Sequence, residues 1–145
     1  MIGQFALGAL MIGITTIVHA GFMLLAVGVL GAVLRRARFP LGHGKAAVTV
    51  SCFVLVMFCA TIAEVWLWSG LFVLNGALPT LEEATYFSVV TFSTLGYGDI
   101  VLGPEWRLLG SIAAVNGVIL FGWTTALVFI VVQRVYGRDG AGSRF

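Results

Sequence analysis

Six consecutive residues carry most of the chemistry available to this chain: Thr94-Leu95-Gly96-Tyr97-Gly98-Asp99. Glycine enters left-handed backbone conformations at little cost. Two glycines spaced two apart allow a backbone that alternates in hand, so that successive carbonyls turn toward one axis. A row of such oxygens can replace the water shell of a dehydrated cation. The carbonyls of Thr94, Leu95, Gly96 and Tyr97 are the predicted ligands, and the Thr94 hydroxyl adds one more oxygen at the end of the row. The side chains of Leu95 and Tyr97 must then point away from the ion, packing outward to brace the loop.

The elements that hold this loop are those of a membrane protein. Of 145 residues, 60% are hydrophobic and only 10% charged, against about a quarter charged in a soluble domain. The net charge of +2 comes from residues at the ends of apolar runs and predicts no nucleic-acid partner. Cys52 and Cys59 are too few for a disulfide framework and lie within one apolar run, facing lipid or packing. No nucleophile–base pair and no metal cluster is visible, so neither enzyme chemistry nor an organic cofactor is expected.

Three runs reach the roughly 20 residues needed to span a bilayer: Phe5 to Leu34, Ala46 to Leu74, and Leu108 to Val135. The first lacks a basic leader and is too long for a signal peptide, so it reads as a retained helix. The predicted fold class is an all-α membrane protein: three transmembrane helices plus a re-entrant helix and loop. Trp66, Trp68 and Trp106 read as interfacial anchors and packing residues.

Arg35, Arg36, Arg38 and Lys45 lie between the first and second runs, and Arg134, Arg138 and Arg144 follow the third. Basic residues favour the cytoplasmic side. The first loop and the C-terminus are therefore expected inside, and the N-terminus outside. The connection from about Asn75 to Arg107 is also placed outside. It holds Glu82, Glu83, Asp99 and Glu105, which would concentrate cations there; Glu82 and Glu83 equally suit the positive end of a helix dipole. Within it, Leu81 to Leu95 is apolar, helix-length and too short to cross, as in a re-entrant helix. Thr80 and Glu83 form a capping box at its start, after Pro79. The arginines near residue 36 lack the every-third spacing of a voltage sensor. They form a topology cluster placed to meet anionic lipid, and voltage dependence is expected to be weak. The tail, Gly137 to Phe145, is polar and glycine-rich.

TLGYGD resembles the signature of potassium-channel pores, most often TVGYGD, for which carbonyl-lined filters are a known general design. The resemblance covers roughly Trp66 to Gln133. Tyr86-Phe87-Ser88 falls where that family carries the aromatic cuff of its pore helix. Arg107 to Val131 resembles the inner helix of the bacterial two-transmembrane type, with Arg107-Leu108, Gly117, Phe121-Gly122 and Thr125-Ala126 on matching positions. The resemblance implies an added N-terminal helix over 1–38 and a pore module over 39–136, followed by a cytoplasmic tail over 137–145. The module would contain an outer helix at about 46–74, a pore helix at about 80–93, a filter at 94–99 and an inner helix at about 107–135.

It further implies K+ as the permeant ion, held by Thr94, Leu95, Gly96 and Tyr97. Tyr86, Phe87, Val90, Gly98 and Asp99 would support the filter. Gly117, Phe121, Gly122, Thr125 and Ala126 would form the hinge and inner pore, with tight helix packing the alternative for Gly117. Phe121 is expected behind the filter, and Asn116 either faces the cavity or bonds a neighbouring helix. One loop per chain requires four copies, as a homotetramer in the cell membrane or with a close relative. A regulatory subunit is a further conceivable partner. Leu95 replaces the usual valine. Val90 stands where some bacterial members carry glutamate, which deprives Asp99 of a carboxyl partner. The alternatives are a non-selective cation channel, a potassium-uptake transporter subunit, and a regulatory subunit with a dead pore; the intact GYGD argues against the first and last.

The first run has no counterpart in the two-transmembrane type. His19 lies near its middle, with Thr15 and Thr16 on the same face. Glu64 lies slightly outward of the middle of the second run, a difference in depth of roughly 6 Å at about 1.5 Å per residue. Ionisable groups within a membrane usually have partners, so these two are predicted to pair and to make the contact between the extra helix and the pore module pH-sensitive. The alternatives are a neutral His19 on a backbone carbonyl and a Glu64 bonded to the pore helix or to water.

Overall fold

The computed structural model describes residues 2–36 and 42–136. Four helices follow one another: α1 (Ile2–Arg36), α2 (His43–Leu74), α3 (Leu81–Phe92) and α4 (Arg107–Tyr136). No strand occurs among the described residues. The side chain of Arg36, with Arg38, Arg138, Arg144 and the expected tail, lies outside the described residues.

α1, α2 and α4 are long and apolar enough to cross a membrane. At about 1.5 Å per residue, each exceeds the roughly 30 Å hydrocarbon core. Their exposed faces carry Ile17, Leu24, Phe58 and Phe129, which is how helices solvated by lipid differ from helices facing water. α3 has 12 residues and reaches about halfway through such a layer. The Thr80 hydroxyl accepts from Glu83 N at 3.2 Å and caps it, and Glu82 and Glu83 occupy the first turn. α2 ends in a Schellman motif: Gly76 has φ 68°, and Ala77 N donates to Phe72 O at 2.8 Å.

α3 is held between α2 and α4, and α1 packs on both α2 and α4. α1 runs antiparallel to α2 and parallel to α4. Just before α4, the Glu105 carbonyl accepts from Gln4 Nε2. Gly8 sits so close to Ile112 that a Cβ would lie 2.8 Å from its side chain. Thr15 meets Asn116 and His19 meets Thr124 further along.

One apolar core lies beneath the 94–99 loop and joins Met11, Trp68, Phe72, Phe92, Leu109 and Leu120. A second joins Ala26, Leu30, Phe53, Met57, Val131 and Val135 at the far ends of the helices. Trp66 is exposed, whereas Trp68 is fully buried. Trp68 is thus a core residue and not an interfacial anchor, because its ring stacks with Phe72, one turn on, at 5.8 Å.

Candidate functional site

The loop begins where α3 ends, and the last turn of α3 takes up its first amides. Thr94 N donates to Thr91 O at 3.0 Å, while Leu95 N and Gly96 N both donate to Val90 O, at 2.9 and 3.2 Å. No described residue donates to the carbonyls of Thr94, Leu95, Gly96 or Tyr97. Positive φ recurs at every second residue: 61° at Thr94, 57° at Gly96 and 80° at Gly98. The alternation the glycines suggested therefore begins one step earlier, at a threonine. A non-glycine residue held there costs about 1–2 kcal/mol, and such strain collects at functional sites. Nothing in the type of residue 94 signals it, since β-branched residues rarely adopt this conformation. Val90 contributes through its carbonyl, which anchors the loop.

Support comes from α3. Tyr86 Oη donates to Asp99 Oδ2 at 2.7 Å. This bond holds the Asp99 carboxyl below the usual aspartate range, and the same bond raises the Tyr86 phenol. The partner that Val90 cannot provide is thus supplied by a phenol one turn earlier. Phe87 packs edge-on to Phe72 at 5.3 Å, and Ser69 Oγ reaches Ala84 O at 3.3 Å, tying α2 to α3. Leu95 and Tyr97, expected to brace the loop, are 55% and 68% exposed. Within one chain nothing covers them.

On α4, Gly117 faces the backbone of Phe92, where a Cβ would overlap the carbonyl. Close approach of α4 to the end of α3 accounts for this glycine, and α4 continues unbroken through it. Gly122 has nothing near its missing Cβ. Phe121 meets Phe92 edge-on at 5.9 Å, behind the loop. Gly122, Thr125 and Ala126 are exposed, and the Thr125 hydroxyl donates back to Phe121 O at 2.8 Å.

Away from the loop, the structure gathers buried polar groups from three helices. His19 Nδ1 lies 2.8 Å from Glu64 Oε1, both side chains fully buried. His19 Nε2 lies 3.2 Å from Thr124 Oγ1, and the ring sits 5.1 Å from that of Trp123. Asn116 Nδ2 donates to Thr15 Oγ1 at 2.8 Å, so of its two readings the bond to a neighbouring helix is the one observed. Thr15 and not Thr16 is the fully engaged hydroxyl. Asn116, Trp123 and Thr124 were not foreseen as neighbours of the first helix; their only signal was polarity and ring size within an apolar run.

A family model described as "Ion channel" matches residues 48–134, more than half of the chain. The chain belongs to this ion-channel family. It falls in the branch with potassium-channel pores, and its three long apolar helices are those of a multi-pass membrane protein. Among curated relatives, "Voltage-gated potassium channel Kch" of Escherichia coli is 32% identical over 97 residues, covering 63% of this chain and 22% of its own length. "Potassium voltage-gated channel protein shk-1" of Caenorhabditis elegans is 27% identical over 97 residues, covering 63% of this chain and 18% of its own length. The chain thus spans about a fifth of the length of these channels. No solved structure matches it.

Proposed function

We propose that this chain is a subunit of a potassium-selective channel, four copies of which enclose one pore lined by the carbonyls of residues 94–97. The observation that carries the reading is the alternation of positive φ at Thr94, Gly96 and Gly98, with the amides of Leu95 and Gly96 held by Val90 O and the carbonyls left free. A dehydrated cation needs such a stack, and rings of backbone carbonyls supply it in potassium channels. The names of the two relatives are consistent with this ion.

Four copies follow from the single loop per chain, and they explain why Leu95 and Tyr97 lack cover: each is left for a neighbouring copy. The C-terminal end of α3 faces the loop, and its partial negative charge favours a cation there. The excess of basic residues around 35–45 and at Arg134 supports a cytoplasmic location for those ends and an outer location for the loop. No helix among the described residues carries arginines at every third position, so these helices supply no voltage sensor. Liposomes carrying the purified protein test the reading: potassium and rubidium pass far faster than sodium, and barium blocks. Equal sodium and potassium flux overturns it.

A further inference from the structure

We infer that α1 is a splint for α4: Thr15 and His19 are positioning residues that hold Asn116 and Thr124 on either side of Gly122, so that α4 cannot bend there without releasing the His19–Thr124 bond. The inference rests on the channel reading above and adds what sets its opening.

Three observations carry it. First, of the two glycines in the middle of α4, Gly117 has no space for a side chain. Its missing Cβ is filled by the Phe92 backbone, which binds that level of α4 to the end of α3. Gly122 is open, exposed and without any neighbour near its Cβ position. Bending is therefore easiest at Gly122.

Second, the two polar contacts between α1 and α4 inside the apolar layer bracket that position. Asn116 Nδ2–Thr15 Oγ1, at 2.8 Å, lies before it, and Thr124 Oγ1–His19 Nε2, at 3.2 Å, lies just after. Together they grip about 12 Å of α4. Farther along, among the described residues, α1 and α4 share the apolar cluster of Ala26, Leu30, Val131 and Val135, whose members can slide. A hydrogen-bonded polar pair in hydrocarbon cannot slide freely, because no water replaces the lost partner.

Third, the splint is anchored. His19 Nδ1 is held by Glu64 of α2 at 2.8 Å. α2 is joined to α3 through Ser69 and Ala84. His19 therefore belongs to a frame of α1, α2 and α3, against which the part of α4 beyond Gly122 has to move.

The test uses the full-length protein in planar bilayers. Thr124→Val removes one hydroxyl and leaves His19–Glu64 untouched, and Thr124→Ser keeps the hydroxyl. The valine variant is expected to raise the open-to-closed ratio about threefold per subunit, the typical worth of one hydrogen bond between membrane helices. Unitary conductance and potassium-over-sodium selectivity stay unchanged, and the serine variant matches the parent protein. Unchanged opening in the valine variant, or serine behaving like valine, overturns the splint while leaving the channel reading intact. A parent protein without selective potassium current overturns the channel reading instead. Gly122→Ala supplies an independent arm should the valine variant fail to assemble. It stiffens α4 in open space and is expected to lower the open-to-closed ratio; an unchanged ratio refutes a bend at Gly122.

Discussion

The phenol of Tyr86 reaches across the end of the loop and donates to Asp99 Oδ2 at 2.7 Å. The bond lowers the pKa of Asp99. Its contribution is complete above the ordinary aspartate value, about pH 3.9, and is lost as pH falls through the lowered folded value. Tyr86→Phe returns Asp99 to the ordinary range. The acid limb of potassium flux is therefore expected at higher pH in the variant, measured from pH 3 to 7 on the loop side. Superimposable acid limbs count against the bond as a support of the loop.

Gly96 has φ 57° and open space around its missing Cβ. Gly96→Ala is therefore opposed by backbone conformation alone, at about 1–2 kcal/mol. Folding and assembly are expected to survive while potassium-over-sodium selectivity falls, read as rubidium against sodium uptake. A selective Gly96→Ala channel contradicts the assigned carbonyl geometry.

Gly117→Ala acts differently. The new methyl meets backbone, which cannot swing aside, so a destabilisation of about 1–3 kcal/mol or more is expected. Thermal unfolding of the detergent-solubilised protein reads it. Gly122→Ala, in open space, leaves the same unfolding curve nearly unchanged. If the two alanines unfold alike, Gly117 is not needed for close approach.

Glu82, Glu83, Asp99 and Glu105 lie on the side of the loop, opposed there by Arg107. Glu105 is exposed, and its neutralisation is expected to reduce conductance at about 0.01 M salt, where charges act over about 30 Å. The difference disappears near 1 M, where screening shortens this to about 3 Å. A difference independent of salt assigns Glu105 a structural role.

His19 and Glu64 should prove strongly coupled. Removing either leaves the other buried without its partner, which is worse than removing both. A cycle of His19→Ala and Glu64→Gln is expected to be non-additive by about 0.5–3 kcal/mol in assembly stability. We also propose that loss of the pair's proton to solvent weakens the contact between α1 and the other helices, so that pH biases the gate. The opening ratio then differs between pH 5 and pH 8, and Glu64→Gln abolishes the difference. Among the described residues, the α4 groups bonded to or stacked on this cluster are the uncharged Asn116, Trp123 and Thr124. Parallel pH profiles confine the pair to holding α1 in place.

Much of the molecule is legible in the chain because it depends on local properties. Three apolar runs and a fourth too short to cross define the helices by length alone. Thr80 and Glu83 mark the start of α3, and two glycines two apart mark the loop. The tertiary structure decided which faces meet. Helices that are apolar all round carry no stripe distinguishing the face toward protein from the face toward lipid, so no periodicity could show that Trp68 is buried and Trp66 exposed. For the same reason Gly117 reads as a hinge, with close packing the alternative, until Phe92 is placed against it. Asn116 and Thr124 gain partners only once α1 lies parallel to α4. The left-handed turn at Thr94 is decided last. Threonine does not favour it, and the anchoring of Thr94 to Thr91 O and of Leu95 and Gly96 to Val90 O holds the chain there.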